Sequence, residues 1–264
     1  MLRNLLLTFI LPLYSPFGLA TSLTFVAEDL PPYHFKNSEG EVVGALVDIS
    51  KAVLKKAKLT GKFEIMPMAR AFHEFETHPN IIMMSLLKNP TRESQFQWLG
   101  QVYFADAYLV SLKDFEYSTP SLQAARAYRV STIRGYSSEH YLRSAGFDES
   151  NNLVLVSNYS QLWNMLYKGR VDFVLTNTLT LQNELKLIGL DPNQVKKHVH
   201  LTDYPSTLYF AANKNLDEQT ASAIKLTIEQ VKESGQYQAI LKKWQLPEPE
   251  KQIATEQPYL NIVK

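Results

Sequence analysis

The sequence predicts an α/β protein built from two successive sets of short buried strands alternating with amphipathic helices. Three observations carry that expectation. Apolar runs such as Leu23–Ala27, Ile81–Met84, Leu153–Val156 and Val171–Leu175 are short and bounded by turn residues, as buried strands are. Between them, apolar residues recur at helical spacing, as in Leu46, Ile49, Val53 and Ala57. The chain has 264 residues, 45% of them hydrophobic and 20% charged, which is a globular composition and enough length for two lobes with separate cores.

In the first set, Leu23–Ala27 is a strand that ends before Pro31-Pro32-Tyr33, and Asn37-Ser38-Glu39-Gly40 has turn chemistry. The helix through Leu46 and Ala57 is expected to stop at Gly61. Phe63–Met66 reads as a strand, Ala69–Phe75 as a short helix, and Ile81–Met84 as a buried strand running into Ser85 and the polar loop Lys88-Asn89-Pro90-Thr91-Arg92. The second set starts near Leu109. It contains a strand at Tyr128–Ile133, a loop at Gly135-Tyr136-Ser137-Ser138, a helix from Glu139 to Ala145 stopped by Gly146, and a strand at Leu153–Val156. A helix at Tyr159–Tyr167 capped by Gly169 and a strand at Val171–Leu175 follow. Such alternation predicts parallel sheets with helices on their faces, and ligands then sit beyond the carboxyl ends of the strands. The rule points to the loops after Met84, Ile133 and Leu175. Two closing helices, with stripes Ile224, Ile228, Val231 and Tyr237, Ile240, Leu241, Trp244, are expected to return to the first set. Beyond Gln245 the Pro-rich, charged tail has no periodicity and is expected to be unstructured.

The first twenty residues differ from the rest. Arg3 gives a positive start, Leu5–Leu13 is almost wholly apolar, and Gly18-Leu19-Ala20 supplies small residues for cleavage. The run is too short for a spanning helix of about 20 residues, so a cleaved secretory signal over 1–20 is expected, with the mature chain in the periplasm. The formal net charge of +1 offers no attraction to nucleic acid or an anionic membrane. The absence of cysteine excludes thiol nucleophiles, disulfides and cysteine–metal sites.

Catalytic constellations are poorly represented. Gly135-Tyr136-Ser137-Ser138-Glu139 lacks the final glycine of a nucleophile elbow, and no phosphate-cradling glycine loop occurs. His198 and His200 share one strand face without a third ligand, so neither a metal nor another cofactor is expected.

Ordered signatures give the chain a further resemblance. Pro31-Pro32-Tyr33, Gly40, Gly44-Ala45-Leu46-Val47-Asp48, Asn89-Pro90-Thr91-Arg92, Gly135-Tyr136-Ser137, Lys168-Gly169-Arg170-Val171-Asp172 and the closing Gly235-Gln236-Tyr237 to Trp244 occur in that order. Together they resemble the type II periplasmic solute-binding proteins that serve polar amino-acid ABC transporters, family 3, over about Leu23 to Trp244. The resemblance implies a two-lobed periplasmic-binding-protein-like fold with two hinge strands. Lobe 1 would take 21–108 and 206–245, lobe 2 109–205, and a flexible tail 246–264.

It also implies a site. Arg92 matches the arginine that holds the ligand's α-carboxylate, for which a planar fork of donors is suited. Ser137 and Ser138, opening a helix, would add a hydroxyl and free backbone N–H groups as an anion seat, or simply cap that helix. Tyr33 would lay its ring on an apolar part of the ligand, or is simply a tyrosine on a loop, and Ser85 ends a strand at the cleft. Arg70 would add a second cation if its helix faces the cleft, and otherwise sits on a solvated face. Asn177 stands where amino-acid binders generally have an aspartate. It keeps an acceptor but loses the charge, which leaves recognition of an α-amino group open. Asp172 and Trp98 read as structural.

Three functions follow from different classes. The first is a non-enzymatic binding protein, expected as a monomer, that captures a carboxylate-bearing solute (amino acid, derivative or organic acid) for a permease. The second is a dehydratase of cyclic carboxylic acids on the same scaffold, needing a cleft acid such as Glu28 or Glu139. The third is a ligand sensor reporting to a membrane receptor.

Overall fold

The computed structural model describes residues 22–248, apart from positions 89 and 205 and the side chains of 90, 91 and 177–179. The expected signal segment and residues 249–264 of the expected tail lie outside them. Lobe 1 opens with β1 (Leu23–Ala27), a hairpin of β2 (Phe35–Lys36) and β3 (Val42–Val43), and α1 (Ala45–Ala57). It continues through β4 (Gly61–Ile65), α2 (Met68–Thr77), β5 (Ile81–Leu87), the one-turn α3 (Pro90–Glu93) and β6 (Gln97–Phe104). Lobe 2 holds β7 (Ala107–Leu112), β8 (Val130–Ile133), α4 (Ser137–Ser144), β9 (Leu153–Val156) and α5 (Tyr159–Tyr167). β10 (Phe173–Asn177), α6 (Thr178–Leu187) and β11 (Val195–His200) complete it. The chain returns to lobe 1 as β12 (Thr207–Ala212), α7 (Glu218–Glu233) and α8 (Gln236–Lys243).

Each lobe has one five-stranded sheet, in the order β4-β1-β5-β12-β6 and β11-β7-β10-β8-β9. The expectation of wholly parallel sheets is corrected. β1 runs parallel to β4 and β5, and β8 parallel to β9 and β10, but β12 is antiparallel to β5 and β6, and β7 antiparallel to β10 and β11. A strand that arrives from the other lobe enters at the carboxyl edge of its new sheet, so it must run against the βα strands. β6 of the first sheet ends at Phe104 and β7 of the second begins at Ala107, while β11 of the second ends at His200 and β12 of the first begins at Thr207. The two crossings are hydrogen-bonded to each other, Ala105 N–H to the Ser206 carbonyl at 2.6 Å and Leu201 N–H to that of Ala107 at 3.0 Å.

Every residue of β1 is buried because both faces of its sheet are covered. Leu23, Phe25 and Ala27 join the core under α1 and α7, while Val26 on the other face packs with Ala71 and Phe75 of α2. In lobe 2, Phe173 and Leu175 face one cluster and Val174 the other, with Trp163 fully buried beneath α6. Asp48 in α1 accepts hydrogen bonds from Lys243 at 2.7 Å and Trp244 Nε1 at 2.8 Å, which fastens the returning helices to the first part of the lobe.

Two further expectations change. α1 is ended by Lys58 in the left-handed region (φ 56), and Gly61 instead begins β4. The tail does not leave the fold at 246, since Leu246 is 8% exposed and the Pro247 carbonyl accepts from the Tyr103 hydroxyl at 2.8 Å.

Gly44, the N-cap of α1, has φ 134, and a Cβ there would meet the Tyr33 carbonyl oxygen at 2.2 Å. Gly169 is also left-handed (φ 61), but nothing lies within 4 Å of a Cβ. Gly44→Ala is therefore expected to destabilise the protein by about 3 kcal/mol, and Gly169→Ala by about 1 kcal/mol. Urea denaturation of both variants checks the contrast, which equal losses would contradict.

Candidate functional site

The carboxyl ends of both sheets face one cleft with about 940 Å³ of space, part of it open to solvent. Lobe 1 contributes Glu28 after β1, Ser85 in β5, Phe72 of α2 and Arg92 of α3. Lobe 2 contributes Tyr136, Ser137 and Ser138 at the start of α4, then Thr176, Thr180 and Glu184, while Tyr204 comes from the second crossing. Most of the remaining wall is apolar, including Leu86, Leu87, Ile133, Leu162 and Leu175.

Ser85 faces the cleft because β5 carries a bulge. Between Tyr209 and Ala211 of β12 the register advances two residues, while β5 advances three, from Leu86 to Met83. The extra residue breaks the alternation and re-aims the side chains beside it. The Ser85 hydroxyl lies 2.7 Å from Nε2 of His34, whose Nδ1 is 2.8 Å from the Glu28 carbonyl. A carbonyl only accepts, so Nδ1 carries the proton, and burial holds the imidazole neutral by lowering its pKa to about 4. Nε2 is then an acceptor and the serine hydroxyl donates to it. What Ser85 still offers the cleft is lone pairs alone.

Arg92 crosses the cleft. Its guanidinium stacks 4.8 Å from the Phe72 ring centroid, and Nη1 donates to the Ser137 hydroxyl of lobe 2 at 3.1 Å. Burial lowers its pKa, opposed by Tyr204 and Glu76. Ser138 exchanges a 2.6 Å hydrogen bond with Thr132, and the buried Tyr204 hydroxyl is bonded to Ser137 and Ser138, its pKa pushed up to about 12 by desolvation. A second cross-lobe bond runs from the Tyr136 hydroxyl to the Glu28 carboxyl. Glu28 keeps some surface open to the cleft and is otherwise enclosed. Desolvation raises its pKa to about 8, against the Tyr136 bond and with help from Glu184 and Asp29. Glu184 is 3% exposed, accepts from Trp163 Nε1 at 2.6 Å and from Thr180, and is likewise raised by burial.

Of the sequence-predicted contacts, Arg92, Ser85, Ser137 and Ser138 come together at the cleft. The backbone of Asn177 pairs with Ala107 at the end of β10; its side chain lies outside the described residues. Tyr33 and Arg70 fall elsewhere. Tyr33 is fully buried in the lobe 1 core, its ring 5.5 Å from that of Tyr103, so it has no face to offer a ligand. Arg70 is exposed on α2 and does not line the cleft. Glu139 also drops out as a cleft acid, because its carboxylate accepts from Gly135 N–H at 2.7 Å and from Arg143. Asp172 accepts from the Arg129 N–H at 2.8 Å, a structural role. Trp98 packs against Phe96 and Tyr209.

The family described as bacterial extracellular solute-binding proteins, family 3, matches residues 24–247. The chain belongs to that family. A probable histidine-binding protein of Neisseria gonorrhoeae is 21% identical over 216 residues, 82% of this chain and 80% of the other. Among solved structures, an ancestral arginine-binding protein bound to arginine superposes with a TM-score of 0.73 at 24% identity, over 84% of this chain and 97% of that one. A histidine kinase sensor domain similar to periplasmic binding proteins gives 0.76 at 17% identity, over 85% and 95%. The fold is accordingly the two-lobed one of periplasmic binding proteins, the role is solute binding, and the family is one of binding proteins rather than enzymes.

The site's titrating groups set a pH dependence. Glu28 (ordinary value 4.5, here about 8) keeps a proton in the folded state that the unfolded chain loses, so its contribution to stability declines as pH rises from about 4.5 to about 8. His34 (ordinary value 6.5, here about 4) acts oppositely, its contribution growing from about pH 4 to 6.5. The two offset each other below pH 6.5. Stability of the ligand-free protein is expected to fall from about pH 6.5 to 8, and Glu28→Gln to flatten that fall. Urea midpoints across the range read it, and an unchanged slope in the variant would contradict the assignment.

Proposed function

We propose that the protein captures a small carboxylate-bearing solute, an amino acid, a derivative or an organic acid, by closing its two lobes over it. One observation carries the reading: Arg92 of lobe 1 reaches Ser137 of lobe 2 across the cleft. A guanidinium held on one lobe, beside serines at a helix start on the other, grips a carboxylate from both sides. A ligand that contacts both lobes stabilises only the closed form, and so shifts the population toward it. The histidine and arginine bound by the related proteins both carry such a carboxylate. In this reading residues 1–20 direct export and are removed, the mature monomer works in the periplasm, and an ABC-transporter permease receives the solute. The likeness to a kinase sensor domain favours a second destination, a membrane receptor that reads the closed form.

A thermal-shift screen across amino acids, organic acids and small peptides finds the solute, since a ligand at 100 times its Kd adds about 2.7 kcal/mol of stability. Mass spectrometry of the recovered hit should show it unchanged. Arg92→Ala is expected to weaken its binding by about 2–5 kcal/mol, the range for removing one partner of a buried charge pair. An undiminished affinity would take Arg92 out of the site. Small-angle scattering should show a smaller radius of gyration at saturation, and an unchanged radius would sink the closure mechanism.

A further inference from the structure

The two side-chain bonds described above as crossing the cleft end on one short turn of lobe 2. Tyr136 reaches the Glu28 carboxyl and Ser137 accepts from Arg92, and both residues stand between the end of β8 and the first turn of α4. Local sterics do not fix that turn. Gly135 is left-handed (φ 82) with nothing within 4 Å of a Cβ, and Tyr136, the N-cap of α4, makes no side-chain cap bond. The turn is held instead by a ring of four alternating, mostly exposed charges. Glu139 reaches back to accept from the Gly135 N–H at 2.7 Å, as the acid of a capping box does, and its other oxygen accepts from Arg143 Nε at 3.0 Å. Arg143 also donates to Glu149, whose second oxygen accepts from Arg134 at 2.8 Å. The ring thus begins and ends on the adjacent residues Arg134 and Gly135. Its anchor is firm, because Glu149 lies in a turn where the N–H groups of Asn151, Asn152 and Leu153 converge on the Asp148 carbonyl. None of the four charged residues lines the cleft.

We infer that Arg134, Glu139, Arg143 and Glu149 are positioning residues for solute capture, setting where Tyr136 and Ser137 stand against lobe 1 without touching the solute. This rests on the capture proposed above. Exposed ion pairs add little to global stability, because water solvates the separated charges nearly as well. A closed ring that ends on a glycine turn does something else with the same bonds. It removes conformations that the turn would otherwise have to give up on binding, and so spares the ligand that cost. Groups that grip a ligand must be held to within about 0.5 Å by neighbours whose own geometry is locked. Arg143 is central to the device, since one guanidinium fork bonds both acids, a geometry that a lysine ammonium does not reproduce.

Isothermal titration calorimetry at pH 7 tests this with L-arginine, L-histidine, L-glutamine, succinate and glutarate as probes, the tightest of them being carried through the variants. Arg143→Gln and Glu149→Gln are each expected to weaken that probe about fivefold while the urea midpoint holds. Glu229→Gln, which breaks an exposed pair with Lys232 on α7, is expected to leave the affinity as it is. The readout that a merely structural role would not move is a mutant cycle. In a background of Tyr136→Phe with Ser137→Ala, Arg143→Gln is expected to cost nothing further, because the turn then has no gripping side chains to misplace. An affinity untouched by Arg143→Gln and Glu149→Gln but lost in Arg92→Ala overturns the positioning inference and leaves solute capture standing. A fivefold loss that persists in the double background overturns it as well. If none of the probes binds even at millimolar concentration, capture of such acids falls, and the inference with it.

Discussion

Closing two lobes over a cleft takes water away from every charged group that faces it, and the rest of the site is arranged around that loss. An ion buried without a partner costs several kcal/mol even after the protein relaxes. The charged groups that line the cleft have protein partners in place of water. Arg92 has the Phe72 ring and Ser137, Glu28 has Tyr136, Glu184 has Trp163 and Thr180, and His34 is neutral between two partners. Most of these substitutes are neutral dipoles. A ligand whose charges match those of the cleft improves on them, and that difference is the free energy available to hold the lobes together.

The architecture confines the motion such a ligand would bias. Each lobe has its own sheet covered on both faces, and packed cores of that kind move as units. The covalent links between them are the two crossings, which run side by side and are hydrogen-bonded to each other. A rotation of one lobe against the other would therefore turn on the backbone near Ala105–Asp106 and just after His200. The same crossings explain why β7 and β12 run against their neighbours, so the mixed sheets and the hinge are one feature of the chain path. Tyr204 sits in the second crossing and bonds Ser137 and Ser138, which couples the crossing directly to the start of α4.

Much of the fold is legible in the sequence. Short apolar strands and helical stripes located β1, β5, β8, β9, β10 and α5 closely, because buried parallel strands and amphipathic helices carry the strongest periodic signals. The strand-end rule led to Ser85, the Ser137 loop and Thr176. What escaped had a physical reason in each case. β6 is interrupted by Gly100 and partly exposed, and β12 pairs through two bulges, so neither shows clean alternation. Tyr33 is an aromatic in a proline turn, a setting that does not distinguish a cleft wall from a core plug. Tyr204 lies in a connection with no periodicity to place it. Glu184 did leave a trace, since Thr180 and Glu184 are one turn apart and flanked by the buried Leu181 and Leu185, which puts the carboxylate on an inward face.

Asn177 shows how far a resemblance carries. Where the resemblance implies an aspartate, the last residue of β10 is uncharged, and read alone that substitution argues against a cationic nitrogen on the ligand. Two carboxyls that no motif names line the cleft, Glu28 just after β1 and Glu184 in the second turn of α6. Electrostatic complementarity belongs to the enclosed volume rather than to a position in a motif, because inside a low-dielectric cleft a charge acts on every group that shares it. A motif therefore transfers a site only as far as its charges are all accounted for, and here the negative ones have to be found by burial rather than by alignment.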